Sequence, residues 1–257
     1  MMLCSLPPFL LLTVALPVLS GVAVAQSPSA DEIVDMLDRL YRSESSYAEI
    51  SMEVVTPQWE RTLSLLAWSE GMDKTYILVT EPPRERGLAT LRLGDEMWNY
   101  LPNTNSVMRV PPSMMMGSWM GSDFTNDDLV RETSFREDYS FSLVDYDGEG
   151  SDDGYCYLEM VPGEDVPVVW GRVLCAVRQD ELLPVWMRYF DEHGRLMREM
   201  SFSDYTDFGG RTIPAVTRLV PADEEGHRTT IRYTHVEFDL EIDPDVFSLR
   251  NLRSGAD

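Results

Sequence analysis

The chain repeats one grammar: a short run in which apolar and polar residues alternate, a cluster of turn formers, and then another such run. Ala48, Ile50, Met52 and Val54 alternate with Glu49, Ser51 and Glu53, the period of two that sends one side of a strand into a core and the other into water. Strand-like runs follow at 62–68, 75–80, 88–93, 97–101, 140–146, 155–161, 168–178, 184–190, 196–205, 212–220 and 229–238. Gly94-Asp95, Glu192-His193-Gly194 and Phe208-Gly209-Gly210 mark turns between neighbours. Parallel neighbours would need long crossovers, usually helical, and no alternating helices are visible, so the sheet is expected to be antiparallel. A sheet of this size curls strongly, splits into two layers or closes into a barrel.

Two passages break the alternation. Ser29, Ala30, Asp31 and Glu32 form a capping-box pattern, and Ile33, Met36, Leu37, Leu40 and Tyr41 follow at helical spacing. An amphipathic helix is therefore expected from about Ala30 to Arg42. The second passage runs from Ser113 to Phe124 and gathers Met114, Met115, Met116, Trp119, Met120 and Phe124 around Gly117 and Gly121. Met is unbranched and polarizable, so such a cluster suits a surface that refits itself to greasy partners; a plug for an awkward corner of the core is the other reading. Thr125, Asn126, Asp127 and Asp128 then open a short helix through Leu129 and Val130. Helical, apolar material is thereby placed across a sheet, beside an opening.

Residues 1–25 read as a secretory signal, with an apolar run from Phe9 to Leu19 and an A-x-A site at Ala23, Val24 and Ala25. Met1 to Pro8 carries no Lys or Arg, which departs from the usual pattern, and Cys4 precedes the apolar run, where it cannot serve as an acylated lipoprotein cysteine. From Gln26 onward no apolar stretch approaches the roughly 20 residues that span a bilayer, so residues 26–257 are expected to form a single soluble domain. Its formal charge of −23 repels nucleic acid and anionic lipid surfaces. Cys156 and Cys175 lie in neighbouring strand-like runs. In an exported chain they are a disulfide candidate, with two buried free thiols as the alternative.

Catalytic and metal signatures are missing. His193, His227 and His235 are the only histidines, and none falls in an H-E-x-x-H or other paired-ligand spacing. There is no G-x-S-x-G elbow and no P-loop. The acidic stretch from Asp145 to Gly154 lacks the closing Glu of an EF-hand, with Cys156 standing where that acid would fall. The expectation is a binding protein without enzymatic activity, cofactor or metal.

Several passages together carry a resemblance: the N-terminal amphipathic helix, residues 86–102 (RGLATLRLGDEMWNYLP), residues 120–129 (MGSDFTNDDL), Leu183-Pro184-Val185, residues 190–194 (FDEHG), and Phe202-Ser203-Asp204-Tyr205. Over residues 30–252 the chain resembles the LolA/LolB-like superfamily, and within it the outer-membrane lipoprotein-sorting branch. The resemblance implies a mainly β protein with a few helices, an incomplete antiparallel β-barrel of about 11 strands under a helical lid, enclosing an apolar cavity. It further implies a periplasmic carrier for the acyl chains of a lipid or lipoprotein, working toward the outer membrane, with an inner-membrane export system as its partner. Contact with the membrane would be transient and the protein a monomer. A lipid- or lipoprotein-sensing regulatory domain, without transfer activity, is the competing function.

Enclosure is the mechanism that such a carrier needs, because each buried methylene is worth about 0.8 kcal/mol relative to water. On this reading Met114, Met115, Met116, Trp119, Met120, Phe124 and Leu129 form a movable wall, and Trp68 and Trp98 face the cavity from strands. Arg84, Arg86 and Arg92 are candidates for polar contact at its mouth, either to a lipid phosphate or to lid carbonyls.

Overall fold

The computed structural model describes residues 27–40, 43–130, 135–164, 166 and 168–254. The expected signal peptide at 1–25 lies outside these residues. The first helix, α1 (Ala30–Arg39), starts as the sequence anticipates and is shorter than expected. Ser29 N donates to Glu32 Oε2 at 2.8 Å and Glu32 N to Ser29 Oγ at 3.2 Å, so each residue satisfies an orphan amide of the other. The Ser29 amide and hydroxyl, both donating to the Glu32 carboxyl, hold it below its ordinary pKa. Ile33, Val34 and Leu37 form the buried stripe of α1.

The first wing of the sheet takes six strands in chain order: β1 (Ser45–Val55), β2 (Glu60–Glu70), β3 (Lys74–Glu81), β4 (Ala89–Leu93), β5 (Glu96–Leu101) and β6 (Ser106–Arg109). Alternation did not mark β6, which is only four residues long. The chain then crosses to the far edge through α2 (Asn126–Val130) and α3 (Phe135–Asp138). The second wing follows as β7 (Tyr139–Val144), β8 (Tyr155–Pro162), β9 (Arg172–Arg178), β10 (Pro184–Phe190), β11 (Leu196–Phe208), β12 (Arg211–Pro221) and β13 (Arg228–Phe238).

All thirteen strands form one antiparallel sheet, in which β13 returns to pair with β1 and unites the wings. β6 and β7 remain as open edges, so the barrel is incomplete, as expected. Bulges at Glu49/Ile50, Ser64/Leu65 and Tyr189/Phe190 add local twist to a sheet that already coils. No helix among the described residues is long and apolar enough to cross a membrane.

Register assigns the two faces. Phe202, Thr217, Ile231, Met52 and Leu63 sit opposite one another across β11, β12, β13, β1 and β2 on the inner face. There α1 packs on the second wing against Leu158, Cys175 and Met187. The outer face of the first wing carries Tyr76, Leu91 and Tyr100, sealed by Phe247 and by Leu252 of α4 (Leu249–Ser254).

The disulfide expectation is corrected here. Cys156 and Cys175 are both buried and both free. Cys156 pairs across the ladder with Val177, and Cys175 with Leu158, a diagonal offset that separates Cβ atoms by about 7 Å, against the roughly 3.8 Å of a disulfide. Burial pushes both thiols above their ordinary pKa.

Candidate functional site

Two adjoining cavities, of about 390 and 410 Å³, lie on the inner face. Both are lined by Leu37 of α1, Asp128 of α2, and Ile231 and Tyr233 of β13, so these four residues stand between them. The first cavity continues along the second wing past Phe135, Trp170, Met187 and Phe202. The second continues along the first wing past Ile50, Leu65, Ala67 and Ile77. Inward alternation on the strands supplies these apolar walls, and α1 and α2 bridge the curved sheet above them. Volumes of a few hundred Å³ with few polar groups are the ordinary setting for a small apolar ligand.

One buried ion pair stands in this apolar surround. Arg198 of β11 donates to Asp128 through both terminal nitrogens, at 2.8 and 2.7 Å. Its guanidinium lies against the rings of both Trp170 and Tyr189, at 4.4 and 4.5 Å from their centroids, and the two rings contact each other at 5.1 Å. Burial alone would raise the Asp128 carboxyl, but the Arg198 hydrogen bonds and charge, together with Thr125, bring it below its ordinary pKa. Thr125 and Asp128 cap α2 reciprocally, with Asp128 N donating to Thr125 Oγ1 at 3.1 Å and Thr125 N to Asp128 Oδ2 at 2.8 Å. Burial also pushes Tyr189 and Tyr233 up to about 12, so both stay neutral.

The Met-rich passage is a small braced hairpin. Ser118 bridges Thr125, and Trp119 N donates to Phe124 O at 2.7 Å. Met120 and Gly121 both take positive φ, 49° and 71°, and Ser122 N closes on Trp119 O at 2.9 Å, the geometry of a type I′ turn. Gly121 thus serves a fixed turn. Further ties hold the segment down: Trp119 Nε1 to Thr90 Oγ1 at 3.1 Å, Asn126 Nδ2 to Met114 O at 3.0 Å, and Arg61 to Met120 O.

The structure divides the residues chosen from sequence. Trp119 lines the second cavity and Phe124 the first. Met115 and Met120 pack on the inner core of the first wing, whereas Met114 and Met116 are 58% and 47% exposed and line neither cavity. The side chain of Leu129 lies outside the described residues. Trp98 is corrected to the outer face, opposite Leu91. Trp68 contributes to the second cavity, but its ring stacks between Tyr47 and Tyr76, at 5.3 and 5.6 Å, on the outer side.

The three arginines selected from sequence line neither cavity. Arg86 pairs with Glu81, Arg92 is buried and donates to Gly94 O at 3.0 Å, and Arg84 is exposed. The arginine at the cavity is Arg198, which the sequence reading passed over. A signal was present, since Arg198, Met200 and Phe202 share one strand parity, so a cation stands in an inward-facing register.

A family of uncharacterised proteins has a model that matches residues 71–254. No curated protein matches the sequence. A DUF1329 family protein from Desulfovibrio piger superposes with a TM-score of 0.75 at 26% identity, covering 86% of this chain and 96% of its own. A domain assigned to outer-membrane lipoprotein sorting from Vibrio parahaemolyticus gives 0.73 at 21% identity, covering 87% and 98%. A LolA superfamily protein from Nitrosomonas europaea gives 0.70 at 21% identity, covering 87% and 99%. The chain belongs to this uncharacterised family, and its open antiparallel sheet with helices across the inner face is the fold that it shares with these structures.

Proposed function

We propose that this protein is a periplasmic, non-enzymatic carrier that takes the acyl chains of a lipid or lipoprotein into its two inner-face cavities, for transfer toward the outer membrane in service of an inner-membrane export system. The pair of adjoining apolar cavities, divided only at Leu37, Asp128, Ile231 and Tyr233, carries this reading. The neighbour named for outer-membrane lipoprotein sorting shares this fold, as does the LolA superfamily protein, and both favour the same reading.

The energetics favour a loose fit. Two fully enclosed tails of roughly 30 methylenes would exceed 20 kcal/mol at about 0.8 kcal/mol each, beyond the affinity any carrier could reverse. The walls of the two cavities suit partial enclosure, because Met187, Met200 and Phe202 line one and Ile50, Leu65 and Ile77 the other. Lipid extracted from gently purified protein and analysed by mass spectrometry tests the proposal, followed by transfer of a labelled acyl lipid between donor and acceptor vesicles. Co-purified acyl lipid and protein-dependent transfer are expected. Lipid binding without transfer would leave the sensing function in its place, and a protein that neither retains lipid nor takes up a fluorescent fatty acid would remove both.

A further inference from the structure

The turn that joins β12 to β13 folds back onto the end of the braced hairpin. His227 N donates to Glu224 O at 3.1 Å within this turn, with Gly226 at φ +80. His227 Nδ1 lies 2.8 Å from Glu224 Oε2 and 3.7 Å from Asp123 Oδ1. One donor atom from each of the three residues falls within 4.8 Å of the other two.

Asp123 is the member that singles this cluster out. Its side chain is only 8% exposed. Thr229, fully buried, accepts from Asp123 N at 2.9 Å and donates to Asp123 Oδ2 at 2.7 Å. Oδ1 is left turned toward His227, without a hydrogen bond from any described residue, and no Lys or Arg among the described residues pairs with the carboxylate. A nearly buried carboxylate is costly unless a cation meets it. The arrangement therefore calls for positive charge where Oδ1, Nδ1 and Oε2 converge.

We propose that Asp123, Glu224 and His227 form a binding site for a divalent cation of the zinc type, which ties the hairpin over the inner face to the β12–β13 turn. One imidazole with two carboxylates is a borderline donor set suited to zinc, with the fourth position left to water. Tetrahedral zinc at about 2.1 Å from each ligand separates the ligand atoms by about 3.4 Å. The 3.7 Å between Asp123 and His227 is already close to this value. The 2.8 Å contact opens by rotation of Glu224, whose side chain is 56% exposed, as the metal takes the place of the Nδ1 proton. Thr229 holds the carboxylate from behind, the usual role of a ligand's hydrogen-bonded support. The acidic charge of −23 concentrates cations around the molecule. Nothing in this proposal depends on the lipid reading.

Calorimetric titration of the chelator-stripped protein with zinc chloride tests it. One saturable equivalent is expected, with an upward shift in melting temperature. His227→Gln and Glu224→Gln, both on the solvent-facing turn, should each weaken binding by at least about 10-fold, and Asp123→Asn likewise. His193→Gln and His235→Gln should bind as the wild type does. Absence of saturable binding, or binding that survives His227→Gln and Glu224→Gln undiminished, would overturn the site. Equal loss on His235→Gln would overturn it too, by showing that zinc is gathered by exposed histidines in general.

Discussion

The first wing is apolar on both faces of the same strands, and the two faces end differently. On the outer face Tyr76, Leu91 and Tyr100 meet Phe247 and Leu252, with Trp68 and Trp98 packed alongside. On the inner face Ile50, Leu65, Ala67 and Ile77 border a hollow of about 410 Å³. The filled face is the one rich in aromatic rings, and the hollow face is lined largely by aliphatic and small side chains. Space persists where short side chains face one another across a curved sheet, so on this wing ring content does not mark the hollow face.

The largest effect is expected at the charged wall of the adjoining cavity, on the second wing. Arg198→Met leaves Asp128 without its cation, and urea denaturation should show a loss of about 3–5 kcal/mol. That difference should depend on pH. Because the folded carboxyl lies below its ordinary pKa, its contribution is present above about pH 4 and fades as pH falls through the lowered folded value. The gap between wild type and variant should therefore close in strong acid, and a gap independent of pH would detach it from Asp128.

On the filled face, Leu252→Ala removes a side chain that is 1% exposed and should cost about 2–5 kcal/mol. Uptake of a fluorescent fatty acid should stay unchanged; a parallel fall would mean that the two faces are coupled. Ala67→Phe sharpens the contrast from the other side. In a packed core such enlargement costs about 1–3 kcal/mol, but beside the hollow it should cost less than about 1 kcal/mol while abolishing uptake. The smallest effect is expected at the two outward methionines, where Met114→Ser with Met116→Ser should shift stability by less than about 0.5 kcal/mol per site and leave uptake intact.

Legibility in the sequence followed the range of the interaction. The period of two places the strands, and the Ser29–Glu32 and Thr125–Asp128 capping patterns place α1 and α2, because each signal lies within a few residues of its effect. β6 escaped because four residues are too few to display a period. Trp98 was assigned to the wrong side because alternation separates the faces of a strand without saying which is inner; that depends on the strands and helices that cover each side. Arg198 with Asp128, and His227 with Asp123, unite residues from distant parts of the chain, and spacing carries no record of such meetings. The cysteines show the same limit on a smaller scale, since a hairpin of two strands does not reveal a diagonal register.

The pairing of β1 with β13 has a consequence for how the molecule is made. The strand at the middle of the finished sheet is the last to be synthesised, so a growing chain can lay down each half as a run of hairpins while its seam stays unzipped. Closure has to draw together segments such as Glu44 and Asp239, whose amide-to-carboxylate contact spans 195 positions, and long-range closure of this kind is slow. Until then the growing polypeptide leaves an unpaired edge at β1, a window in which a chaperone would find it still open.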